Sequence, residues 1–359
     1  MKKEIKHLKT LKLRVKDKHA KLLKEKAMSV NYVFNYVNDL SNRSIVDRGK
    51  FLSRYDIHKY LNGSSKMLGL DSQSIQAVAD EYVIRRKQFK KNKLKWRVSF
   101  GSKRSLGYIP FKKGRAIWKN GQVLFNGNYF GVFDSYGLSQ YEFRNGTFNE
   151  DARGRWYFNV VVEVKATIPK GQDRIGIDLG LADTATCSNG EKLESGRFYR
   201  GLEKKLAVQQ RAKNKKRVRA IHAKIANRRK DALHKFSRKL VDSCGEIYVG
   251  DVKSLEIIKT NKSMAKSVLD AGWYQLKTML EYKCDNAGIV FEVVDERYTT
   301  QTCSCCGAIP INSPKGRTGL GVREWTCRDC GAVHDRDINA AKNILAVGLD
   351  RLVVGIPVL

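Results

Sequence analysis

Long apolar runs are missing from this chain: no stretch approaches the roughly 18 consecutive apolar residues of a membrane span. The opening Met1-Lys2-Lys3-Glu4-Ile5-Lys6 leads into no signal-peptide core. Membrane-embedded and secreted classes are thereby set aside, and a reducing cytoplasm is the expected compartment. Acidic residues are scarce as well. Only 36 Asp and Glu face 69 Lys and Arg among 359 residues, a formal net charge of +33. A balance so far from neutral selects polyanionic partners. Hydrophobic residues nevertheless reach 42%, too many for a solvated basic tail. The charge therefore belongs to a folded protein with chain enough for two or three domains.

A disulfide framework is also absent. Four of the eight cysteines form two Cys-x-x-Cys pairs, Cys303/Cys306 and Cys327/Cys330, each closed by a glycine, Gly307 and Gly331. In a reducing compartment this spacing wraps one tetrahedral Zn²⁺ from two knuckle turns, and the glycines let the backbone turn tightly. Four thiolates close the site, so it is structural. Cys187, Cys244, Cys284 and Cys305 are expected to be free thiols in the interior, with Cys305 a bystander inside the first knuckle.

Leu11-Lys12-Leu13-Arg14-Val15-Lys16 alternates with period two, as a strand buried on one face does. Leu23, Ala27, Val30, Phe34 and Val37 then step by three and four. Ile75, Val78 and Tyr82 repeat that spacing before the basic cluster 85–95, which predicts a helical block over 18–95. From 96 to 164 short β-type runs return, punctuated by Asn120-Gly121, Asn126-Gly127 and Asn145-Gly146, dipeptides that tight hairpins favour. An opening strand, a helical insertion and returning strands predict a small antiparallel barrel interrupted by helices. Pro169-Lys170-Gly171 marks the expected domain boundary.

In the second half, strands are expected at 174–181, 183–187, 197–199, 246–249 and 289–294, with a long basic helix over about 202–243 and another over about 264–286. That order, βββαβαβα, is the order of RNase H-like nucleases. Gly176-Ile177-Asp178-Leu179-Gly180 sets a carboxylate in an apolar strand, where an unpaired charge is costly without a metal or partner. The last helix opens with Asp335 and Asp337; helix starts favour Asp as caps, a role that suits Asp335 better than Asp337. Between 203 and 240 stand 15 Lys and Arg against Glu203 and Asp231 alone. Such a surplus would repel itself without a polyanion alongside. The candidate nucleic-acid contacts are Arg85, Arg86, Lys90 and Lys91 in the first basic cluster and Arg217, Arg228 and Arg229 on the long helix.

Three segments carry a family resemblance: Ile175-Gly176-Ile177-Asp178-Leu179-Gly180, Tyr298-Thr299-Thr300-Gln301-Thr302-Cys303-Ser304-Cys305-Cys306-Gly307, and His334-Asp335-Arg336-Asp337-Ile338-Asn339-Ala340-Ala341-Lys342-Asn343-Ile344. They resemble the signatures of the TnpB (OrfB) proteins of bacterial insertion sequences, compact relatives of type V CRISPR effector nucleases. The resemblance is specific over 174–346 and architectural over 1–170. It implies an α/β multi-domain chain. A wedge-type antiparallel β-barrel would cover 1–17 and 96–170, with a helical recognition insertion over 18–95. A RuvC-like nuclease domain with an RNase H-like mixed sheet would cover 171–297 and 334–359, interrupted by a zinc-ribbon, target nucleic-acid-binding insertion over 298–333.

The resemblance further implies a Mg²⁺-dependent, RNA-guided DNA endonuclease. It would bind a guide RNA from a transposon end or a CRISPR-like source, recognise a short motif flanking double-stranded target DNA, and cut both strands. Two catalytic Mg²⁺, one structural Zn²⁺ held by Cys303, Cys306, Cys327 and Cys330, one protein copy per RNA and no membrane partner are expected. Asp178 would be the first catalytic carboxylate and Asp337 the third. The second departs from the family pattern of an apolar run followed by Glu-Asp-Leu. Here Ile247-Tyr248-Val249 is followed by Gly250-Asp251-Val252, and Gly250 offers no side chain to a metal. Relatives commonly carry Pro where this chain has Glu296, at the end of the fifth strand, which should lie about 4.8 Å from the fourth. Glu296 is therefore expected to replace the missing glutamate, with Asp251 and Asp295 as runners-up. The competing expectation is a nuclease-dead, RNA-guided DNA-binding repressor, for which Gly250 is the argument. A strand-joining transposase lacks its His-x-His and Tyr arrangement here, and a plain RNA-binding protein leaves the carboxylates unexplained.

Overall fold

The computed structural model describes residues 6–165, 171–316 and 318–354. The chain divides into two compact units, Met1–Lys165 and Ala166–Leu359. Pro169 and Lys170 of the expected boundary lie outside the described residues, as do Met1 to Ile5.

The first unit opens with β1 (Lys6–Arg14), whose alternating Leu11 and Leu13 face inward. Four helices follow: α1 (Ala20–Arg48), α2 (Arg54–Leu61), α3 (Ser65–Leu68) and α4 (Ser72–Phe89). Caps set their starts: Ser53 and Asp56 form a reciprocal capping box on α2, and the Asp71 carboxylate accepts from Gln73 and Ser74 N–H on α4. Strands then return as β2 (Tyr108–Phe111), β3 (Ala116–Lys119), β4 (Gln122–Phe125), β5 (Asn128–Phe130), β6 (Phe143–Glu150) and β7 (Trp156–Lys165). Where a barrel was expected, the described residues form two antiparallel sheets, β1-β7-β6-β2 and β3-β4-β5, linked beyond the strand ends at the bridge Val15–Val132 and packed together through their phenylalanines. Phe111, Phe125, Phe148 and Phe158 fill the core, with neighbouring ring centroids 5.1 to 5.9 Å apart.

Asn120-Gly121 and Asn126-Gly127 are hairpin turns, with positive φ at all four residues as the tight turn requires. Asn145-Gly146 is not a turn. It lies inside β6, where a Cβ at Gly146 would meet the Phe111 ring at 2.3 Å, so this glycine makes room for packing. Arg86 is a second correction. It lies on the buried face of α4, donating to the Leu52 carbonyl at 2.9 Å and to the Ser41 hydroxyl, so it braces the helices and leaves the surface to its neighbours.

The second unit runs β8 (Asp173–Asp178), β9 (Asp183–Cys187), β10 (Lys192–Glu194), α5 (Glu203–Arg211), α6 (Lys215–Ser243), β11 (Cys244–Gly250), α7 (Ser254–Thr260), α8 (Ala265–Ala271), α9 (Trp273–Ala287), β12 (Val290–Val294), β13 (Glu324–Thr326), β14 (Val333–Asp335) and α10 (Arg336–Val354). Its main sheet has the order β10-β9-β8-β11-β12, with β8, β11 and β12 parallel and β9 and β10 antiparallel. The third strand lies at 192–194 instead of 197–199, because the chain reverses at once after β9, where Cys187 N–H donates to the Glu191 carbonyl. The long basic helix is two helices. Lys213 takes positive φ, and the Asn214 side chain accepts from Arg217 N–H to restart the chain as α6. The helix expected over 264–286 likewise breaks at Gly272 into α8 and α9.

Sheet alternation assigns the two faces. Ile175, Ile177, Ile247 and Val249 join the core under α6 and α9, while the intervening Gly176 and Tyr248 meet α10. Contact there is intimate: a Cβ on Gly176 would stand 2.1 Å from the Ala341 carbonyl oxygen and 2.6 Å from Leu345 N. Backbone occupies that space, so Gly176→Ala must lift α10 off the sheet. The expected cost is about 1–3 kcal/mol or more, the range for overpacking a filled interior. Urea unfolding would read it as a lowered midpoint, and an unchanged midpoint would mean that α10 does not rest on β8.

Candidate active site and zinc centre

Asp178 ends β8 at the carboxyl edge of the parallel strands, where open α/β sheets expose their functional ends. Asp337 lies in the first turn of α10 and is buried. Asp335, one residue before the helix, accepts from the N–H groups of Asp337 at 2.9 Å and Ile338 at 3.0 Å, so it is the cap and Asp337 is free of that task. Glu296 stands two residues beyond Val294, the register partner of Gly250 across β11 and β12.

Asp178 feels the charges of the other two. Burial first, then the charges of Asp337 and Glu296, push the Asp178 carboxyl from its ordinary 3.8 up to about 7, against the pull of Arg336 and the Leu179 N–H. Glu296 is also raised, by burial and then by Asp251 and Asp295, with Lys277 opposing. The decisive geometry is at Gly250. A Cβ built there would lie 2.8 Å from Glu296 Oε2, 3.4 Å from Glu296 Cβ and 3.1 Å from Ile344 Cδ1. The Glu296 carboxylate thus fills the space that a side chain at 250 would enter.

The runners-up are each engaged by a cation. Asp251 pairs with Lys277 at 3.2 Å, and the same ammonium reaches the Val252 carbonyl at 3.3 Å. Asp295 is exposed and engaged by Arg297. Several partners went unnoticed in the sequence. Arg323 Nη1 lies 3.1 Å from Asp337 Oδ2, Arg336 Nη2 lies 2.9 Å from Asp337 Oδ1, and Lys192 Nζ lies 3.1 Å from Asp335 Oδ2. Arg336 could have been noticed as the immediate neighbour of Asp337. Arg323 becomes a neighbour only through the β13–β14 pairing and Lys192 only through tertiary packing, neither of which a local pattern reports.

Three carboxylates gathered near the end of β8 and the start of α10 form a donor set suited to hard divalent cations such as Mg²⁺. A second donor set is sulfur: the ligand atoms of Cys303, Cys306, Cys327 and Cys330 all lie within 4.8 Å of one another.

The cysteine cluster fits zinc closely. Sulfurs of Cys303 and Cys330 are 3.6 Å apart and those of Cys306 and Cys327 are 3.8 Å apart. A tetrahedron with Zn–S bonds of about 2.3 Å has edges of about 3.8 Å. Both knuckles repeat one backbone pattern: Gly307 and Gly331, each at positive φ, donate to the carbonyls of Cys303 and Cys327 at 2.9 Å. Burial opposes ionisation of Cys303, yet N–H groups of Cys306, Cys305 and His334 bring its thiol down to about 6. Cys187, Cys244 and Cys284 are buried as expected, whereas Cys305 is exposed, its side chain outside the cluster.

Among the candidate nucleic-acid contacts, Lys90, Lys91, Arg217 and Arg228 are exposed, and Arg85 is half exposed beside Glu81 at 2.6 Å. Arg229 differs. Three-quarters covered, it donates to the Leu269 carbonyl at 2.8 Å and lies 3.7 Å from Asp270, tying α6 to the end of α8.

Comparisons with known proteins agree with this layout. The OrfB_IS605 model, described as a probable transposase, matches residues 157–259, and the TNB-domain model of Cas12f1-like proteins matches residues 273–344. A putative RNA-guided DNA endonuclease of Streptomyces pristinaespiralis is 38% identical over 56% of this chain and 52% of its own length. The putative RNA-guided DNA endonuclease InsQ of Escherichia coli K12 is 29% identical over 54% of each chain. The CRISPR-associated endodeoxyribonuclease Cas12f1 of Sulfoacidibacillus thermotolerans is 28% identical over 57% of this chain and 53% of its own. The chain spans about half the length of the curated relatives it matches. A cryo-EM structure of a Cas12f1–sgRNA–target DNA complex shares the fold over 95% of this chain and 99% of that one, with a TM-score of 0.59 at 14% identity. Two consecutive family matches, over 157–259 and 273–344, together with relatives of that kind, show that this part of the chain is similar to OrfB_IS605 and Cas12f1-like proteins, in keeping with the resemblance to the TnpB (OrfB) family.

Proposed function

We propose that this protein is an RNA-guided DNA endonuclease that binds a transposon-end-derived or CRISPR-like guide RNA, recognises a short flanking DNA motif and cuts the matched duplex by two-metal chemistry. The observation that carries the proposal is the Glu296 carboxylate in the space vacated by Gly250, with its charge felt at Asp178 beside Asp337. Antiparallel β10 and β9 beside parallel β8, β11 and β12 support an RNase H-like, RuvC-type domain over 171–297 and 334–359, with the zinc ribbon inserted over 298–333. The two antiparallel sheets and four helices of the first unit support a wedge over 1–17 and 96–170 and a recognition insertion over 18–95.

Magnesium, when bound, supplies Lewis-acid activation of water and stabilisation of the leaving oxygen. Asp178 at the end of β8, Glu296 in the loop after β12 and Asp337 in the first turn of α10 would hold it. Arg323 and Arg336 occupy the Asp337 oxygens and must yield part of that contact to the cation. Lys90, Lys91, Arg217 and Arg228 offer free cations to phosphates, while base pairing with the guide supplies sequence choice. The rival reading, a nuclease-dead RNA-guided repressor, is favoured by Gly250 and by the two guanidinium groups on Asp337.

The test is cleavage of guide-matched duplex, flanked by a randomised motif library, by the RNA complex purified from cells. Wild type should cut with Mg²⁺. Asp178→Ala, Glu296→Ala and Asp337→Ala should each fall below about one hundredth of that rate, since even outer partners of metal ligands are worth about 10–100-fold. Guide RNA should stay bound. The double variant Gly250→Glu with Glu296→Ala should recover cutting, because the two positions share one space. Binding without cutting by wild type would establish the repressor, and a fully active Glu296→Ala beside a dead Asp178→Ala would remove Glu296 from the site.

A second expectation needs no nucleic acid. Because the folded protein holds a proton on Asp178 up to about pH 7 while the unfolded chain releases it near 3.8, the folded state binds more protons between those values. Stability must therefore fall as pH rises through that window. In magnesium-free buffer the stabilisation is complete below about pH 4 and is lost by about pH 7, up to about 4 kcal/mol in all. Asp178→Asn should flatten the profile, and added Mg²⁺ should restore stability at pH 7 and above. Denaturant unfolding across the range checks this, and the same pH slope in both proteins would contradict it.

A further inference from the structure

Outside the carboxylate site, one buried imidazole has no role in the reading above. His334 is 8% exposed, and its Nε2 lies 3.0 Å from the Cys303 sulfur. Its ring rests on Trp325, its register partner across β13 and β14, with centroids 4.9 Å apart. It lies outside the four-sulfur group, so it is not a ligand but a partner of one: an N–H directed at a thiolate. One residue further on, Asp335 caps α10; two further on, Arg336 N–H donates to the Arg323 carbonyl at 2.7 Å; the third is Asp337.

A second strut rises on the other side of Asp337. Asn339 is 1% exposed, its Oδ1 accepts from Ser304 N–H inside the first knuckle at 2.8 Å, and its amide donates to the Thr302 carbonyl at 2.7 Å. Asn343, one turn on, donates to the carbonyls of Thr299 at 2.8 Å and Thr302 at 2.7 Å. The first knuckle is thus fastened to the chain at 334 and at 339, on either side of Asp337. Backbone between two buried fixed points has little freedom, so whatever holds the knuckle holds the carboxylate.

We infer that His334 is a positioning residue that couples zinc occupancy to the placement of Asp337, making the zinc centre a brace for the carboxylate site. The inference rests on the reading of Asp178, Glu296 and Asp337 as a divalent-cation site. The imidazole acts as a hydrogen-bond donor to the ligating sulfur, and no change in its protonation is involved.

The experiment uses the full chain, with three readouts: zinc content, the rate of zinc transfer to a chromogenic chelator, and Mn²⁺ affinity by electron paramagnetic resonance, Mn²⁺ standing in for Mg²⁺. His334→Ala should retain one zinc through its four thiolates, yet release it about tenfold faster and bind Mn²⁺ about tenfold more weakly, the lower end of outer-shell effects on metal affinity. His334→Gln, which returns an N–H donor at similar reach, should recover both. Wild type stripped of zinc should lose Mn²⁺ affinity and regain it on refilling. Should His334→Ala not fold, the glutamine variant and stripped wild type carry the test. Faster zinc release with unchanged Mn²⁺ affinity would overturn the coupling, as would unchanged Mn²⁺ affinity in zinc-free wild type. Absence of Mn²⁺ binding by zinc-loaded wild type would instead strike the divalent-site reading, so the two failures are distinguishable.

Discussion

The close seating of α10 on β8 governs the second unit. At Gly176 there is no room even for a methyl group, because the helix backbone itself lies against the strand. That contact brings the first turn of α10, with Asp337, to the edge where β8 ends in Asp178. The same helix presents Asn339 and Asn343, at helical spacing, to the carbonyls of Thr299 and Thr302. It also sends Ile344 against the open position at Gly250. One helix, fixed by one missing side chain, thereby sets the carboxylate spacing, the footing of the zinc knuckle and one wall of the Glu296 niche.

Volume then explains why a change at 250 and one at 296 belong together. A Cβ at 250 would stand 2.8 Å from the Glu296 carboxylate, too close for both to be filled without displacement. Charge points the same way. A further acid at 250 beside Glu296 would enlarge the repulsion that already raises Asp178 and Glu296. One carboxylate in that corner, from either strand end, satisfies both constraints. Asp251, whose charge also raises Glu296, is paired with Lys277 on α9.

What the sequence discloses follows the range of the interaction involved. The zinc knuckles were legible because four thiolates and two glycines at fixed short spacing describe a local geometry; the same holds for Asp335, whose cap spans three residues. Asn145-Gly146 misleads for the converse reason: a turn dipeptide is a local signal, while the need for glycine there comes from Phe111, far away in sequence. β10 was misplaced because a three-residue edge strand of Lys192, Leu193 and Glu194 carries almost no hydrophobic alternation. The break between α5 and α6 has neither Pro nor Gly to announce it, only the positive φ of Lys213 and the cap from Asn214. Arg323 on Asp337 and His334 on Cys303 depend on the β13–β14 pairing and on the closure of the knuckle, which no window of sequence contains.

The positive surplus sorts by side-chain type in a way that bears on how a polyanion is bound. Of the seven cations expected at a nucleic-acid surface, the two the structure draws inward, Arg86 and Arg229, are both arginines. A guanidinium with five donors in a plane can satisfy several acceptors at once, and here it takes the carbonyls of Leu52 and Leu269. Arg86 has neutral hydrogen-bond partners, whereas Arg229 also lies 3.7 Å from the Asp270 carboxylate. A bound polyanion would be attracted in two ways of different range: at exposed cations such as Lys90, Lys91, Arg217 and Arg228, and through the broader potential of a chain with a formal net charge of +33. Salt would weaken both, screening the broader potential over about a Debye length and competing with phosphate contacts through released counterions.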